Sequence, residues 1–414
     1  MTSNYGLHLP HQFTLVMIDL KYGLEGDNVD ISVEFCGMRF RSPVFSASGP
    51  PGWNGKSLRK AAESGAGAVI TKTMLLEEFR IPHCGRVWEY EPVEGIKLPL
   101  HGLEGYSELS VEQWLDKELE EAAGGGAPVI ASVRGYYPEL DKTARIVKML
   151  SESPYVSMIE LNVSCPIEIE EGEVLANIEQ DPSALEKVTR VAKEASSVPV
   201  MVKLGLECNR AMAAKAIERG GGDAISLINN PWSILPPDVE TGEMQCPSPG
   251  GLCGPALRNL ALAAMVEVVR STHLPVVGIG GVLNWQHAMQ FILLGASAVQ
   301  SCTGVILRGY RFFEETNRGI QDYLKRKGYE NINSLRGKTL RERIISFNQQ
   351  AARPRCVARI RGDNCSGCGA CLDTCFYGAI DLKDGVASVN EDLCSGCRVC
   401  VITCPMSAIS FEQV

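Results

Sequence analysis

The chain has 414 residues, 45% hydrophobic and 21% charged, which is enough to fold around a large buried core. Its net charge of −9 makes nucleic acid a poor candidate partner. The sequence shows no secretory signal and no apolar run long enough to cross a membrane, so we expect a cytoplasmic protein without a membrane anchor. In that compartment, grouped cysteines indicate metal binding or catalysis rather than disulfides.

Short apolar runs alternate with amphipathic helical segments from residue 44 to about residue 328. Eight of these runs are predicted strands, because each is nearly continuously apolar, as parallel strands covered on both faces are. Eight strand–helix units in succession favour an α/β fold of the (β/α)8 barrel type over an open doubly wound sheet. The predicted strands are 44–48, 68–72, 129–133, 157–163, 200–204, 224–228, 276–280 and 298–302.

The barrel pattern breaks down in a strongly basic segment, 336–361, which contains Pro354. We interpret this segment as a linker, either solvated or docked on an acidic surface. The predicted organisation is therefore a barrel over residues 1–335, the linker over 336–361, and a small domain of different composition over 362–414.

Two cysteine runs in the small domain, CSGCGACLDTC (365–375) and CSGCRVCVITC (394–404), share the spacing C-x2-C-x2-C-x3-C. This doubled spacing is typical of a bacterial-type ferredoxin, an α+β domain with two [4Fe–4S] clusters, in which the fourth cysteine of each run binds the other cluster. A structural zinc site is the weaker alternative. The expected ligand sets are Cys365, Cys368, Cys371 and Cys404 for one cluster, and Cys394, Cys397, Cys400 and Cys375 for the other.

A cofactor site is expected at the C-terminal ends of the barrel strands, where barrel active sites lie. Strand seven ends in GIGGV (278–282) and strand eight in SCTGV (301–305), and such glycine-rich turns let backbone N–H groups approach a phosphate. Lys72 and Lys203 occupy strand ends, where a lysine needs a partner. A reduced flavin, which is anionic, provides one. Asn229 can hydrogen-bond a flavin or a substrate.

Seven segments occur in the order seen in dihydroorotate and dihydropyrimidine dehydrogenases: SASG (46–49), ITKT (70–73), ELNVSCP (160–166), VMVKLG (200–205), GGLCGPALR (250–258), GIGGV (278–282) and SCTGV (301–305). The chain resembles this family from about residue 33 to its end, and the doubled cysteine run resembles dihydropyrimidine dehydrogenase in particular. The resemblance implies an FMN-binding barrel. The FMN contacts that it implies are Ser48, Gly49, Lys72, Thr73, Asn162, Lys203, Asn229, Gly254, Gly280, Gly281, Cys302 and Thr303.

Cys165 lies in the loop after strand four, and the resemblance implies that it is the catalytic proton donor or acceptor. Reduction of an activated C=C bond needs a hydride on one carbon and a proton on its neighbour, and a thiol can supply that proton near neutral pH. The alternative is a buried packing thiol. Six further cysteines have no spacing that suggests chemistry and are interpreted mostly as packing residues: Cys36, Cys84, Cys208, Cys246, Cys253 and Cys356. The expected substrate-binding residues are Asn162, Ser164, Asn229 and Arg134.

The positions that read the substrate depart from the pyrimidine pattern of the family. Ile167 follows the SCP motif where an amide or imidazole is usual, and the loop 131–140 lacks an expected asparagine. The substrate is therefore a pyrimidine or another enoate or enoyl compound, with Arg134 available for a carboxylate or phosphate. The acidic segment 167–176 is either a lid or a solvated loop.

The electron route is expected to involve a second protein, since no G-x-G-x-x-G motif in a Rossmann-like setting is present in the sequence. We expect an oligomer with an NAD(P)- and FAD-binding partner subunit, or a soluble ferredoxin as the electron partner. Two other functions stay open: an electron-transfer module without a substrate of its own, and a flavin barrel that reduces uridine in RNA. The acidic charge disfavours the second of these.

Overall fold

The structure is a computed structural model that describes residues 29–80, 87–89, 100–164, 168–169, 173–174, 177–246 and 248–414, without the side chains of 88, 89, 168, 169, 173, 174 and 347. The chain divides into two compact units, Met1–Glu342 and Arg343–Val414. Within the described residues, none of the helices is both long enough and apolar enough to cross a membrane.

The first unit is built on eight parallel strands, which confirms the predicted barrel. All eight predicted strands form, and their residues are almost entirely buried because helices cover the outside of the sheet. In chain order the strands are β1 (Val44–Ser46), β2 (Val69–Ile70), β3 (Val129–Arg134), β4 (Val156–Asn162), β5 (Val200–Leu204), β6 (Ala224–Leu227), β7 (Val276–Ile279) and β8 (Ala298–Ser301).

The sheet runs in the order β1-β8-β7-β6-β5-β4-β3-β2, so each strand pairs with its neighbour in the sequence. The two end strands also meet. The backbone N–H of Ser46 donates to the carbonyl of Ala68 at 3.1 Å, and that of Gly67 donates to the carbonyl of Val44 at 2.8 Å. These bonds nearly close the cylinder, and closure brings the C-terminal ends of all eight strands to one face.

The helices between the strands begin at residues suited to capping. Asn54 accepts a hydrogen bond from the backbone N–H of Ser57, and Asn284 accepts one from that of His287, which satisfies N–H groups that the first helical turn leaves unpaired. The longer helices of the unit are Gly55–Glu63, Leu140–Ser151, Pro182–Ala195, Arg210–Arg219, Arg258–Val269, Trp285–Leu293 and Arg311–Lys327. The short ones are Val111–Gln113, Leu119–Ala123, Thr303–Arg308 and Lys338–Glu342.

A second sheet, which the sequence does not predict, is built from loops of the barrel. It has four short antiparallel strands in the order Trp232–Ser233, Gly250–Cys253, Leu100–Gly102 and Val87–Glu89. Two hairpin-like pairs complete the unit, Val33–Phe35 with Met38–Phe40 and Glu168–Ile169 with Glu173–Val174. The four-stranded sheet matters for function because residues from its two central strands line the cavity described below.

The second unit contains two antiparallel strand pairs and short helices, as expected for a small α+β domain. Cys356–Ile360 pairs with Ile409–Gln413, and Ile380–Lys383 pairs with Val386–Val389. Its helices are Phe347–Ala351, Ala370–Asp373 and Val399–Thr403. The first strand lies in the segment 336–361 that the sequence assigns to a linker, so the folded small unit starts before residue 362.

Candidate active site

A cavity of about 360 Å³ opens at the C-terminal ends of the barrel strands. Its wall is formed by the residues that end or follow β1, β2, β4, β5, β6, β7 and β8, together with the four-stranded sheet. The barrel geometry therefore gathers segments that are far apart in the sequence. The predicted site residues that line the cavity are Ser48, Gly49, Lys72, Thr73, Asn162, Ser164, Lys203, Asn229, Cys302 and Thr303.

Hydrogen bonds connect the polar groups on one side of this cavity. Thr73 Oγ1 lies 3.2 Å from Ser48 Oγ and 2.9 Å from Ser132 Oγ, and it accepts from Asn162 Nδ2 at 3.3 Å. The Oδ1 atom of Asn162 in turn accepts from the backbone N–H and the hydroxyl of Ser164, both at 3.3 Å. The network orients the start of the loop that leads to Cys165.

Lys203 reaches the cavity from the barrel interior, where a buried carboxylate faces it. Its Nζ lies 3.8 Å from Glu160 Oε1, and the two side chains are 5% and 0% exposed. The other carboxylate oxygen of Glu160 accepts from Ser226 Oγ at 3.0 Å and from Gln300 Nε2 at 2.7 Å. A buried charged side chain needs such partners, so the network accounts for the position of Lys203 at the cavity floor.

Lys72 is the second buried lysine, and its Nζ donates to Glu104 Oε2 at 3.0 Å. The lysine side chain is 3% exposed and the glutamate 19% exposed. Glu104 follows the strand Leu100–Gly102 of the four-stranded sheet and also lines the cavity. Sequence reasoning did not single out Glu104, because a lone acidic residue in a loop has no distinguishing pattern.

Two thiols, Cys302 and Cys253, line the same cavity. Burial raises the pKa of Cys302 to about 11, although Lys72 and Lys203 lower it, and burial raises the pKa of Cys253 to about 12. Both are therefore protonated near neutral pH. Cys253 Sγ also accepts from Asn230 Nδ2 at 3.0 Å. Cys253 is thus more than a packing residue, because it lines the cavity together with Gly250 and Gly251 of the same strand.

Three predicted FMN contacts, Gly254, Gly280 and Gly281, lie together but are not among the residues that line the cavity. Gly281 has φ +68°, and a Cβ there would lie 3.0 Å from the carbonyl oxygen of Gly254 and 2.9 Å from Arg258 Cβ. Glycine is needed at this position for the close approach of the loop after β7 to the start of the helix Arg258–Val269. Their contact with a cofactor stays a prediction.

Two predicted site residues, the catalytic Cys165 and the substrate-binding Arg134, are not among the described residues that line the cavity. Cys165 lies outside the described residues, as does Ile167. Arg134 is described, but it does not line the cavity: its guanidinium carbon lies 4.9 Å from the ring centre of Tyr136 and 5.9 Å from that of Tyr106. Stacking on two aromatic faces accounts for its position.

The eight cysteines of the two runs form two groups, each around its own cavity. Cys365, Cys368, Cys371 and Cys404 line one cavity. The other is lined by Cys375, Cys394, Cys397 and Cys400. The structure thus brings together the two sets that the ferredoxin pattern predicts, with the fourth cysteine exchanged between runs.

These cavities suit a cluster better than a single metal ion. Within the described residues, no three cysteine, histidine or acidic side chains converge closely enough to hold one ion. A zinc ion draws its thiolates to about 2.3 Å, whereas a four-iron cluster holds them apart. Backbone N–H groups of Ala379 and Ala408 also donate to Cys375 and Cys404 Sγ, both at 3.3 Å, as the thiolates of such sites accept.

The barrel cavity in turn suits a flavin. Two buried lysines, asparagine amides and several glycines line it. A Cβ at Gly49 would lie 2.7 Å from Cys302 Sγ, so a larger residue does not fit at this position of the wall. The helix Thr303–Arg308 starts at the cavity, and a helix N-terminus favours a phosphate.

Fold and site together define a barrel oxidoreductase joined to an iron–sulfur domain. The chain matches the dihydroorotate dehydrogenase family over residues 30–324 and a 4Fe-4S dicluster domain over residues 358–411. It therefore belongs to the dihydroorotate dehydrogenase family. The cofactors are FMN in the barrel and two [4Fe–4S] clusters in the small domain.

Curated relatives agree with this assignment. The catalytic subunit of dihydroorotate dehydrogenase B (NAD(+)) from Pyrococcus horikoshii is 32% identical over 314 residues, which cover 75% of this chain and 98% of the relative. The corresponding subunit from Thermococcus kodakarensis is 33% identical over 313 residues, 75% of this chain and 98% of the relative. The PreA subunit of NAD-dependent dihydropyrimidine dehydrogenase from Escherichia coli K12 is 30% identical over 368 residues, 84% of this chain and 86% of the relative.

Proposed function

We propose that this chain is the catalytic subunit of a dihydropyrimidine dehydrogenase-like enzyme, which reduces or forms an activated C=C bond with Cys165 as the proton donor or acceptor. The observation that carries the proposal is the cavity with two buried lysines in the same chain as two four-cysteine cavities. A flavin exchanges electron pairs, and iron–sulfur clusters pass single electrons, so the combination suits a dehydrogenase that works with a separate electron carrier.

The lysines and amides of the cavity hold the cofactor and the substrate in this proposal. Bound FMN supplies hydride transfer at its N5 atom. Lys203 offsets negative charge that develops at the cavity floor, where its Nζ lies 3.8 Å from Glu160 Oε1. Asn162 and Asn229 orient the substrate through their amides, and Ser164 fixes the start of the Cys165 loop.

Cys165 completes the reaction by moving one proton. When the C=C bond is reduced, the Cys165 thiol donates its proton to the carbon next to the one that accepts the hydride, and the thiol becomes a thiolate. In the oxidation direction the thiolate accepts that proton. The segment around Cys165 supports this role because Asn162 and Ser164, three and one residues before it, line the cavity.

Replacement of Cys165 by alanine tests this function. We expect Cys165→Ala to retain FMN and both clusters but to lose turnover by about 100-fold or more, the usual range for removal of a general acid. The measurement is anaerobic flavin reoxidation with a panel of pyrimidines, enoates and enoyl thioesters. Cys36→Ala is the matched control. The Cys36 thiol donates a hydrogen bond to the backbone carbonyl of Asp223, and Cys36 does not line the cavity.

Two outcomes of that experiment would contradict the proposal. Unchanged turnover in Cys165→Ala would exclude the acid–base role. Reoxidation by none of the panel would favour an electron-transfer module without a substrate. Reoxidation by enoates or enoyl thioesters alone would indicate that the substrate is another activated alkene and not a pyrimidine.

The electron partner belongs to the same proposal. We infer that electrons pass between the clusters and an NAD(P)- and FAD-binding subunit, or a ferredoxin, within an oligomer in the cytoplasm. The names of the relatives support a subunit, since they describe a catalytic subunit and the PreA subunit of NAD-dependent enzymes.

A further inference from the structure

The two cysteine runs of the small unit are nearly identical over their first seven residues. They read CSGCGAC (365–371) and CSGCRVC (394–400), and they differ in charge at one position, where the first has Gly369 and the second Arg398. The backbones agree there, since Gly369 has φ +80° and Arg398 has φ +68°. Glycine adopts this left-handed conformation freely, whereas an arginine adopts it at a cost in free energy. The second run therefore places a cation at a position that suits glycine.

Arg398 makes the two cysteine cavities unequal in charge. The first cysteine cavity is the one lined by Cys365, Cys368, Cys371 and Cys404, and the second is the one lined by Cys375, Cys394, Cys397 and Cys400. Apart from these cysteines, Arg398 is the one ionised side chain among the described residues that line either cavity, and it belongs to the second. The first cavity has the uncharged Gly369 in the corresponding place.

The guanidinium of Arg398 lies beside an aromatic ring of the same wall. Its Cζ atom is 5.5 Å from the ring centre of Phe411, which also lines the second cysteine cavity. Within the part of the chain that the structure describes, no carboxylate forms an ion pair with Arg398, whereas Arg359 of the same unit pairs with Glu391 and Glu412. The charge of Arg398 is therefore not cancelled by a neighbouring acidic side chain.

A cation at this wall changes the reduction potential of the cluster that the cavity holds. Reduction adds one electron and no proton to a [4Fe–4S] cluster, so the cluster with its thiolates becomes more negative by one charge. A positive charge nearby stabilises the more negative state and raises the potential. Because Arg398 is exposed, water and salt screen part of this effect, and we expect it to be moderate.

Hydrogen bonds to sulfur, another determinant of cluster potentials, are similar at the two cavities. The fourth cysteine of each run accepts from a backbone N–H at 3.3 Å. The first cysteine cavity has one further bond, from the Ala387 N–H to Cys365 Sγ at 3.5 Å. This bond also raises a potential, so it narrows the difference that Arg398 creates. A full charge acts more strongly than one long hydrogen bond, and we therefore expect Arg398 to dominate.

We propose that Arg398 is a potential-setting residue, which raises the reduction potential of the cluster in the second cysteine cavity above that of the cluster in the first. A single electron that enters the small unit then rests on the cluster beside Arg398. The inference goes beyond the function proposed above, because it concerns the electron path and holds whichever substrate the barrel takes.

Replacement of Arg398 by a neutral side chain tests this inference. Both cluster potentials are measured by paramagnetic resonance during an anaerobic redox titration of the FMN- and cluster-loaded protein. We expect Arg398→Gln to lower the higher potential by about 30 to 60 mV, a threefold to tenfold change in a one-electron equilibrium, and to leave the lower one nearly unaltered. Arg398→Lys keeps the charge and should keep both potentials. Arg353→Gln is the control, because Arg353 is exposed and lines neither cavity.

The first run permits the reciprocal substitution. A Cβ at Gly369 would lie 3.8 Å from Leu382 Cδ1, which is an ordinary van der Waals contact, and Arg398 shows that an arginine adopts a similar φ. We expect Gly369→Arg to raise the lower potential by a similar amount, so that the two clusters become nearly equal.

The outcomes separate this inference from the proposed function. Unaltered potentials in Arg398→Gln, a lowering of the lower potential instead of the higher, or an equal shift in Arg398→Lys would overturn the inference. If Arg398→Gln loses iron, Gly369→Arg decides: a raised potential supports the inference, and an unaltered one overturns it. The expected shifts in a protein that turns over no substrate would leave the inference standing and contradict the proposed function.

Discussion

Buried ionisable side chains distinguish the active end of the barrel at the level of single residues. Glu179 is one that the proposed chemistry does not use: it is 1% exposed, and its Oε2 atom accepts from the backbone N–H of Gly205. Within the described residues, its Oε1 atom has no hydrogen-bond partner. Burial raises the pKa of Glu179 from 4.5 to about 7, with Glu207 adding to the rise and Arg210 opposing it.

Glu179 is therefore expected to make folding stability depend on pH. Between about pH 4.5 and pH 7 the folded state keeps a proton that the unfolded state has released, so its contribution falls as pH rises through this window, in total by on the order of 3 kcal/mol. Glu179→Gln keeps the acceptor for Gly205 and removes the titration. The Tm difference between variant and wild type should then grow in favour of the variant from pH 5 to pH 8.

A control addresses the general effect of removing a negative charge. Glu194→Gln changes an exposed glutamate on the helix Pro182–Ala195, and its Tm difference should be nearly constant over the same range. If the Tm difference of Glu179→Gln is as constant over this pH range as that of Glu194→Gln, the pKa of Glu179 is not raised.

Residues at strand ends were predictable from the sequence, whereas residues in the connecting loops were not. Lys72 and Lys203 stand out because lysine is rare in an apolar strand, and the barrel places both at the cavity. Glu104 and Cys253 belong to loops whose path depends on pairing between distant segments. Their sequence neighbourhoods carry no signal of that pairing, so only the fold reveals them.

At the level of elements, the two cysteine runs depend on each other. Each run forms a short helix after its first cysteines, Ala370–Asp373 or Val399–Thr403, and sends its fourth cysteine to the cavity of the other run. This exchange predicts that a substitution in one run removes the cluster of the other.

Replacement of Cys404 tests the exchange. We expect Cys404→Ala to lose the cluster bound by the 365–371 triplet, so that iron falls from about eight to about four per chain while FMN is retained. Iron and flavin analysis of the anaerobically purified protein measures this. Cys356→Ala is the control, because Cys356 lies in the strand of the small unit and lines neither cavity, and it should keep all the iron.

Cys404 can also be compared with Cys394 to exclude an unexchanged arrangement. If Cys404→Ala and Cys394→Ala abolish the same cluster, as judged by the paramagnetic resonance of the remaining one, each run binds its own cluster and the assignment is wrong. Loss of different clusters agrees with the two cavities.

The barrel strands and the four-stranded sheet show why some elements can be read from the sequence and others cannot. Strands such as β4 and β5 are mostly apolar runs of five to seven residues, as is typical of buried parallel strands. The strands of the smaller sheet have two to four residues and include Gly102, Gly250 and Gly251. The central pair of that sheet joins segments more than a hundred residues apart in the sequence, and no local periodicity encodes this pairing.

At the scale of the whole molecule, the chain combines a pair-transfer cofactor with single-electron clusters but lacks a recognisable dinucleotide-binding motif in its sequence. We therefore expect NADH alone not to reduce the FMN of the isolated chain, because hydride from NADH needs a binding site that a partner provides. Stopped-flow absorbance under anaerobic conditions measures the rate. Dithionite is the positive control, since it reduces the cofactors without a binding site.

Addition of a cognate NAD(P)- and FAD-binding subunit should restore reduction by NADH. Rapid reduction by NADH without any partner would show that the chain itself binds the nucleotide. No reduction with that subunit, but reduction with reduced ferredoxin, would assign the electron route to the ferredoxin instead.

The order of the two units was predictable, but the start of the second was not. Cysteine spacing marks the cluster domain clearly, yet Cys356–Ile360 reads as part of a basic connector because its partner, Ile409–Gln413, is about fifty residues away at the end of the chain. A strand defined by so distant a partner has no signature in its own composition.

The pairing of Cys356–Ile360 with Ile409–Gln413 has a practical consequence. Because the two strands are antiparallel, Cys356 lies opposite Gln413, and the first and last strands of the small unit lie side by side. A unit with neighbouring ends can be inserted into a loop of another protein, or its own ends can be joined and new ones opened elsewhere, without stretching its backbone. The unit that carries the clusters could therefore be transferred to another protein through a single attachment site.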